Sequence, residues 1–131
     1  MTDIATLLHE PDTTIALVGA TDSPAKYGHV IFRDLVRKGF AVFPVNPNRK
    51  TVAGVRAYKT VADLPQAPTI VNFVVPPPVT LQVLGQCLDL GLMNVWVQPG
   101  AESPPVMVFL QENGFNYLAN ACIMVESRLT P

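Results

Sequence analysis

The chain has 131 residues, 49% of them hydrophobic and 15% charged, with a formal net charge of −1. That length fits one domain able to bury a sizeable core, and the composition excludes a disordered tail. The near-neutral balance supplies no global field towards nucleic acid or an anionic membrane, so neither is an expected partner.

Residues 4–9 have the spacing of a short helix, stopped by Pro11. Residues 15–18 form an unbroken apolar run, the mark of a buried strand. Between 29 and 38, Ile31, Phe32, Leu35 and Val36 recur at helical spacing, and Gly39 stands at the expected stop. Ala41–Val45 reads as a second buried strand despite Pro44, and residues 46–50 as a polar turn. Thr60 and Asp63 give a capping-box-like pattern for a short helix closed by Pro65.

Residues 70–75 are a third strand running into Pro76, Pro77 and Pro78. Val79, Val83, Leu84, Cys87 and Leu88 are expected on one buried face of a helix ending near Gly91. Asn94–Val97 is a fourth strand. Ser103 before Pro104 marks an N-cap with proline at the first helical position, opening a helix to about Asn113. A last strand falls at 115–118 and a short terminal helix at 122–128. Strands alternate with helices, and the strands are apolar throughout. Both faces of the sheet are therefore covered. The expectation is an α/β, Rossmann-like three-layer fold, with a parallel sheet of about five strands and helices on both faces. Residues 1–131 read as one domain.

Cys87 and Cys122 are the only cysteines, 35 positions apart and in no metal-type spacing. Cys87 reads as a packed core residue, and neither a disulfide framework nor a zinc site is expected. The N-terminus lacks a signal-type apolar core, and no apolar run approaches the roughly 20 residues of a membrane span. The expectation is a cytoplasmic protein.

Ligands of open parallel sheets bind beyond the carboxyl ends of the strands, so the residues just after each strand are the candidates for a site. After the first come Gly19, Ala20, Thr21, Asp22 and Ser23, leading to Lys26, Tyr27 and Gly28 at a helix start. Backbone N–H groups and the helix dipole make such a turn a phosphate site. After the second strand come Asn46, Pro47 and the cations Arg49 and Lys50. Val75, Pro76 and Pro77 end the third strand, and Gln98, Pro99 and Gly100 come after the fourth. Cys122 starts the terminal helix and is expected to offer its backbone N–H. Gly19→Val is expected to remove ligand binding with the fold largely retained.

The dinucleotide fingerprint G-x-G-x-x-G is absent, and Asn46 stands where an acid would take free ribose hydroxyls. Asn with nearby cations suits an adenosine bearing an extra phosphate, as in NADP or coenzyme A. No catalytic constellation is placed at the rim. His9 is expected at the surface, His29 in a capping or packing role, and Asp22 and Glu126 in capping or packing support.

The segments Gly19 to Pro24, Val42 to Pro47, Val95 to Gly100 and Cys122 to Glu126, in that order, resemble the small CoA-binding domain family. Its members are single-domain relatives of the N-terminal domain of the succinyl-CoA synthetase alpha subunit and of ADP-forming acyl-CoA synthetases. The resemblance runs from about residue 12 to 128. It implies CoA phosphates on the turn from Gly19 to Ser23, with Lys26 at a position usually basic in the family. It implies adenosine flanked by Asn46 and Pro47, and the pantetheine arm along Val75, Pro76 and Pro77, opposite Gln98, Pro99 and Gly100. Tyr27 and Gly28 replace a common Pro-Ser pair, and Ala121 a frequent Arg.

The expected function is non-catalytic binding of coenzyme A or an acyl-CoA. Two alternatives stand beside it: an NADP-type nucleotide-binding oxidoreductase or sensor, and a subunit lending its CoA site to a separate acyl-CoA ligase. A homo-oligomer or a ligase-type protein is the expected macromolecular partner.

Overall fold

A computed structural model describes residues 3–128. The elements are α1 (Ile4–Leu8), β1 (Thr14–Val18), α2 (Tyr27–Arg37), β2 (Ala41–Val45), β3 (Thr51–Val52), β4 (Val55–Arg56) and a 3-10 turn (Val61–Asp63). They continue with β5 (Ile70–Phe73), α3 (Pro77–Leu90), β6 (Asn94–Val97), α4 (Pro104–Glu112), β7 (Asn116–Ala119) and α5 (Ile123–Glu126).

Five strands make one parallel sheet in the order β2-β1-β5-β6-β7. The chain moves outward from β1 to β2, then returns to the other side of β1 at β5. The order therefore reverses between β1 and β5, which opens a crevice above their carboxyl ends. Successive strand residues point to opposite faces. Ile15, Leu17, Ile70 and Trp96 meet Ile31, Phe32 and Leu35 of α2 and Ile123 of α5. Ala16, Val18, Val71 and Phe73 face Leu84 and Cys87 of α3 and Val106 and Leu110 of α4. Both faces are buried, so these strands read as continuous apolar runs.

Polar side chains close the ends of the layers. Trp96 is wholly buried, and its Nε1 donates to the Ala121 carbonyl at 2.8 Å. Lys38 Nζ donates to the Met124 carbonyl at 2.6 Å and to Ser127 Oγ at 2.9 Å while pairing with Asp34 at 2.7 Å, which ties α2 to α5. Gly39 ends α2 in the left-handed region (φ +95°), with Phe40 N bonding Leu35 O and Gly39 N bonding Val36 O, a Schellman arrangement. Pro44 is tolerated in β2 because its nitrogen lies on the outer edge, the side where its carbonyl accepts from Tyr58. Asn72, buried at the centre of the sheet, has no side-chain partner among the described residues. Nothing in the structure explains a polar group there.

Three elements differ from the sequence expectation. The stretch after residue 50 holds a small antiparallel hairpin, β3–β4, where the sequence pattern assigns no element. The Thr60 pattern yields only a 3-10 turn, in which Thr60 Oγ1 donates to Asp63 Oδ2 instead of capping a backbone amide. On α3, Thr80 takes the buried place expected of Val79. Its hydroxyl donates to the Val75 and Pro76 carbonyls, while Val79 is 38% exposed.

Among the described residues no helix is long and apolar enough to cross a membrane. Cys87 is buried, and burial pushes its thiol from 9.0 up to about 12. The fold favours the neutral thiol, so this group's contribution to stability falls as pH rises from 9.0 towards about 12. A soluble disulfide reagent at about pH 8 should titrate one thiol, Cys122, in the folded chain and Cys87 only after denaturation. Two reactive thiols in the native protein would contradict this packing.

Candidate functional site

The crevice above β1 and β5 is built around one turn. Gly19 follows β1, donates to the Val45 carbonyl at 3.0 Å, and holds φ +106°. Further along, Lys26, in extended conformation, caps α2 with no side-chain hydrogen bond to the helix. The turn between them is pinned on three sides. An ideal Cβ on Gly28 would lie 2.0 Å from the Gly19 oxygen, so glycine alone lets α2 approach this closely. His29 Nδ1 lies 3.2 Å from the Thr21 carbonyl. Asn46 Nδ2 donates to the Ala20 carbonyl at 2.9 Å, while its Oδ1 accepts from Asn48 N at 2.8 Å.

Two helices point their N-termini at this crevice with opposite chemistry. In the first turn of α2, the amides of Tyr27 and Gly28 find no acceptor among the described residues. They stand at the positive end of the helix dipole, just after Lys26, which also lines the cleft. The start of α3 is Pro76, Pro77 and Pro78, which have no N–H, and the next two amides, Val79 and Thr80, both bond the Pro76 carbonyl. One end offers free hydrogen-bond donors, and the other offers none.

The crevice encloses a cleft of about 900 Å³. Gly19, Thr21, Lys26, Tyr27 and Gly28 line it on the α2 side, and Asn46 and Pro47 at the end of β2. Val75, Pro76 and Pro77 line the α3 side, with Pro99 and Gly100 beyond β6. The structure thus brings these twelve sequence candidates to one cleft. The other six lie outside its lining. Ala20 is buried, with its carbonyl taken by Asn46. Asp22, Ser23 and Arg49 turn towards the hairpin: Asp22 Oδ1 accepts from Ala53 N at 2.7 Å, and Arg49 lies 3.7 Å from Asp22 and 3.3 Å from Ser23 Oγ. Gln98 is buried beneath α5, accepting from Ile123 N at 2.9 Å and contacting Cys122 Sγ at 3.6 Å. Gln98 and Cys122 thus hold the terminal helix to the sheet.

Lys59, Gln82 and Gln86 also line the cleft, and the sequence pattern alone does not single them out. Gln82 and Gln86 share the helical spacing of Val79 and Val83, so the α3 pattern carried that signal. Lys59 had none, because the backbone bridge between Val45 and Tyr58 places it. Among the described residues, no three His, Cys, Asp or Glu side chains gather as a metal set.

Residues 13–128 match a family model described as CoA binding domain. The alpha subunit of ADP-forming acetate–CoA ligase II from Pyrococcus furiosus is 37% identical over 82 residues, 62% of this chain. The match spans 18% of that subunit, under a fifth of its length. A solved structure of a conserved hypothetical protein from Pyrococcus furiosus superposes with TM-score 0.84 at 47% identity, covering 87% of this chain and 98% of that one. A hypothetical protein from Pyrococcus horikoshii OT3 superposes with TM-score 0.85 at 31% identity, covering 96% and 89%.

The glycine pair makes a graded prediction. Gly28→Ala should cost about 3 kcal/mol in urea unfolding, because its Cβ meets a backbone oxygen that cannot move aside. Gly39→Ala, also at a tight turn but with nothing within 4 Å, should cost only about 1–2 kcal/mol of left-handed strain. Gly19→Val would place its Cβ 2.8 Å and 2.9 Å from Val75 and Val74 side-chain carbons at a positive φ. It should therefore destabilise the fold as well as the site, unlike the sequence expectation. Equal losses for Gly28→Ala and Gly39→Ala would contradict the close approach.

Proposed function

The chain belongs to the CoA-binding domain family, and from that premise we propose that it binds coenzyme A or an acyl-CoA, without catalysis, at the C-terminal rim of the sheet. The observation that carries the reading is the pairing of two α2 amides that find no acceptor among the described residues with Lys26, on one side of a cleft whose other side carries prolines and valines with Gln82 and Gln86. A diphosphate suits the first side. A neutral, largely apolar arm suits the second, where Pro76 and Pro77 offer no donor. Adenosine would lie towards Asn46 and Pro47. In this reading the protein's work is binding and orientation. We place the protein in the cytoplasm, where CoA is available.

The likeness to a ligase alpha subunit favours a second reading, in which this domain lends its CoA site to a separate ligase chain. An acyl-CoA-forming, ATP-dependent activity that co-purifies with the tagged protein and is absent from the protein alone would support it.

Calorimetry with CoA, NAD and NADP tests the first reading. CoA should bind, and NAD should give no measurable heat; binding of NAD or NADP without CoA would contradict the proposal. Lys26→Ala should weaken CoA by about ten- to a hundredfold, the equivalent of a charge-assisted phosphate contact of about 1.5–3 kcal/mol. Pantetheine, which lacks the phosphates, should bind both proteins alike. Equal losses for the two ligands would remove Lys26 from the phosphate site.

A further inference from the structure

Resting on the CoA reading above, we infer that Lys59 recognises a phosphate ester on the ligand's ribose and so selects CoA over its dephosphorylated form. Tyr58 is stitched to the outer edge of β2: its N donates to the Pro44 carbonyl and its carbonyl accepts from Asn46 N, both at 2.9 Å. The next residue, Lys59, is thereby held level with Asn46 at the carboxyl end of β2, where it lines the cleft. In sheets that bind nucleotides at a switch point, this strand end meets the ribose. A carboxylate there takes free hydroxyls, and a cation accommodates a phosphate.

The charges around the cleft fit only the second case. Its lining contains two lysines, Lys26 and Lys59, and no carboxylate among the described residues. The nearby acids lie outside the lining and each accepts a hydrogen bond: Asp22 from Ala53 N, Asp63 from Thr60 Oγ1 and Glu102 from Gly100 N, with Asp22 also paired to Arg49. Arg49 and Lys50, the cations that sequence offers after β2, lie outside the lining, and Arg49 is held by Asp22 and Ser23. Lys26 precedes the α2 amides at the other end of the lining. Lys59 is left as the cation at the ribose end, so the cleft matches a ligand with two separated phosphate groups.

The test compares CoA with dephospho-CoA by calorimetry on the wild type, Lys59→Ala, Lys59→Gln and Lys50→Ala, with melting curves to confirm folding. The wild type should prefer CoA by about tenfold or more. Both Lys59 variants should bring the two ligands within about threefold, by losing CoA affinity and leaving dephospho-CoA affinity unchanged. Lys50→Ala should keep the wild-type preference. If neither ligand binds the wild type, the CoA reading fails and this inference with it. If CoA binds but is not preferred, or if the preference survives in the Lys59 variants or disappears in Lys50→Ala, the Lys59 assignment is overturned while the CoA reading stands.

Discussion

The contact on which this molecule depends is between two pieces of backbone. The Gly19 carbonyl lies against the α-carbon of Gly28, where an ideal Cβ would stand 2.0 Å from the oxygen. That approach seats the first turn of α2 directly above the end of β1, at the place where the strand order reverses. From there Ile31, Phe32 and Leu35 continue into the core on one face of the sheet. The amides of Tyr27 and Gly28 remain at the rim. Packing and the geometry of the cleft are thus set by the same pair of glycines. His29 and Asn46 hold the intervening turn by its carbonyls, and Thr21 Oγ1 accepts from the Ser23 amide.

The cleft has a direction. A helix N-terminus ordinarily presents up to four donors and a positive partial charge. At α2 part of that capacity is open, and Lys26 adds to it. At α3 the run of three prolines, followed by two amides bonded to Pro76, removes it. Two elements of the same type, entering the same crevice, therefore prefer different ends of a ligand. An elongated molecule with phosphates at one end and a neutral arm at the other would be oriented by this contrast.

Much of this was legible in the sequence, and the reasons differ by element. Strands buried on both faces show no alternation, so five apolar runs separated by helical spacing point to a parallel sheet, and its ligand rim follows from topology. The β3–β4 hairpin was hidden because its strands have two residues each and its turn is Ala53-Gly54, without the usual Asn-Gly or Asp-Gly signal. Ala53 holds φ +49°, and the Asp22 carboxylate fixes its amide from a distant part of the chain. Gln98 looked like a rim residue because it comes just after a strand. It faces the side covered by α5, whose first amide it accepts. Lys59 gains its position from pairing with a strand about fourteen residues earlier, a non-local contact that no spacing announces.

The central claim is that the α2 amides receive the phosphates of CoA, and a titration of isotope-labelled protein followed by amide NMR tests it most directly. On adding CoA, the Tyr27 and Gly28 resonances should move downfield and saturate together, with smaller shifts at Asn46 and Gly100. Saturating CoA that leaves Tyr27 and Gly28 unmoved, or that shifts only amides around Arg33, Val36 and Arg37 on the far side of α2, would contradict the account.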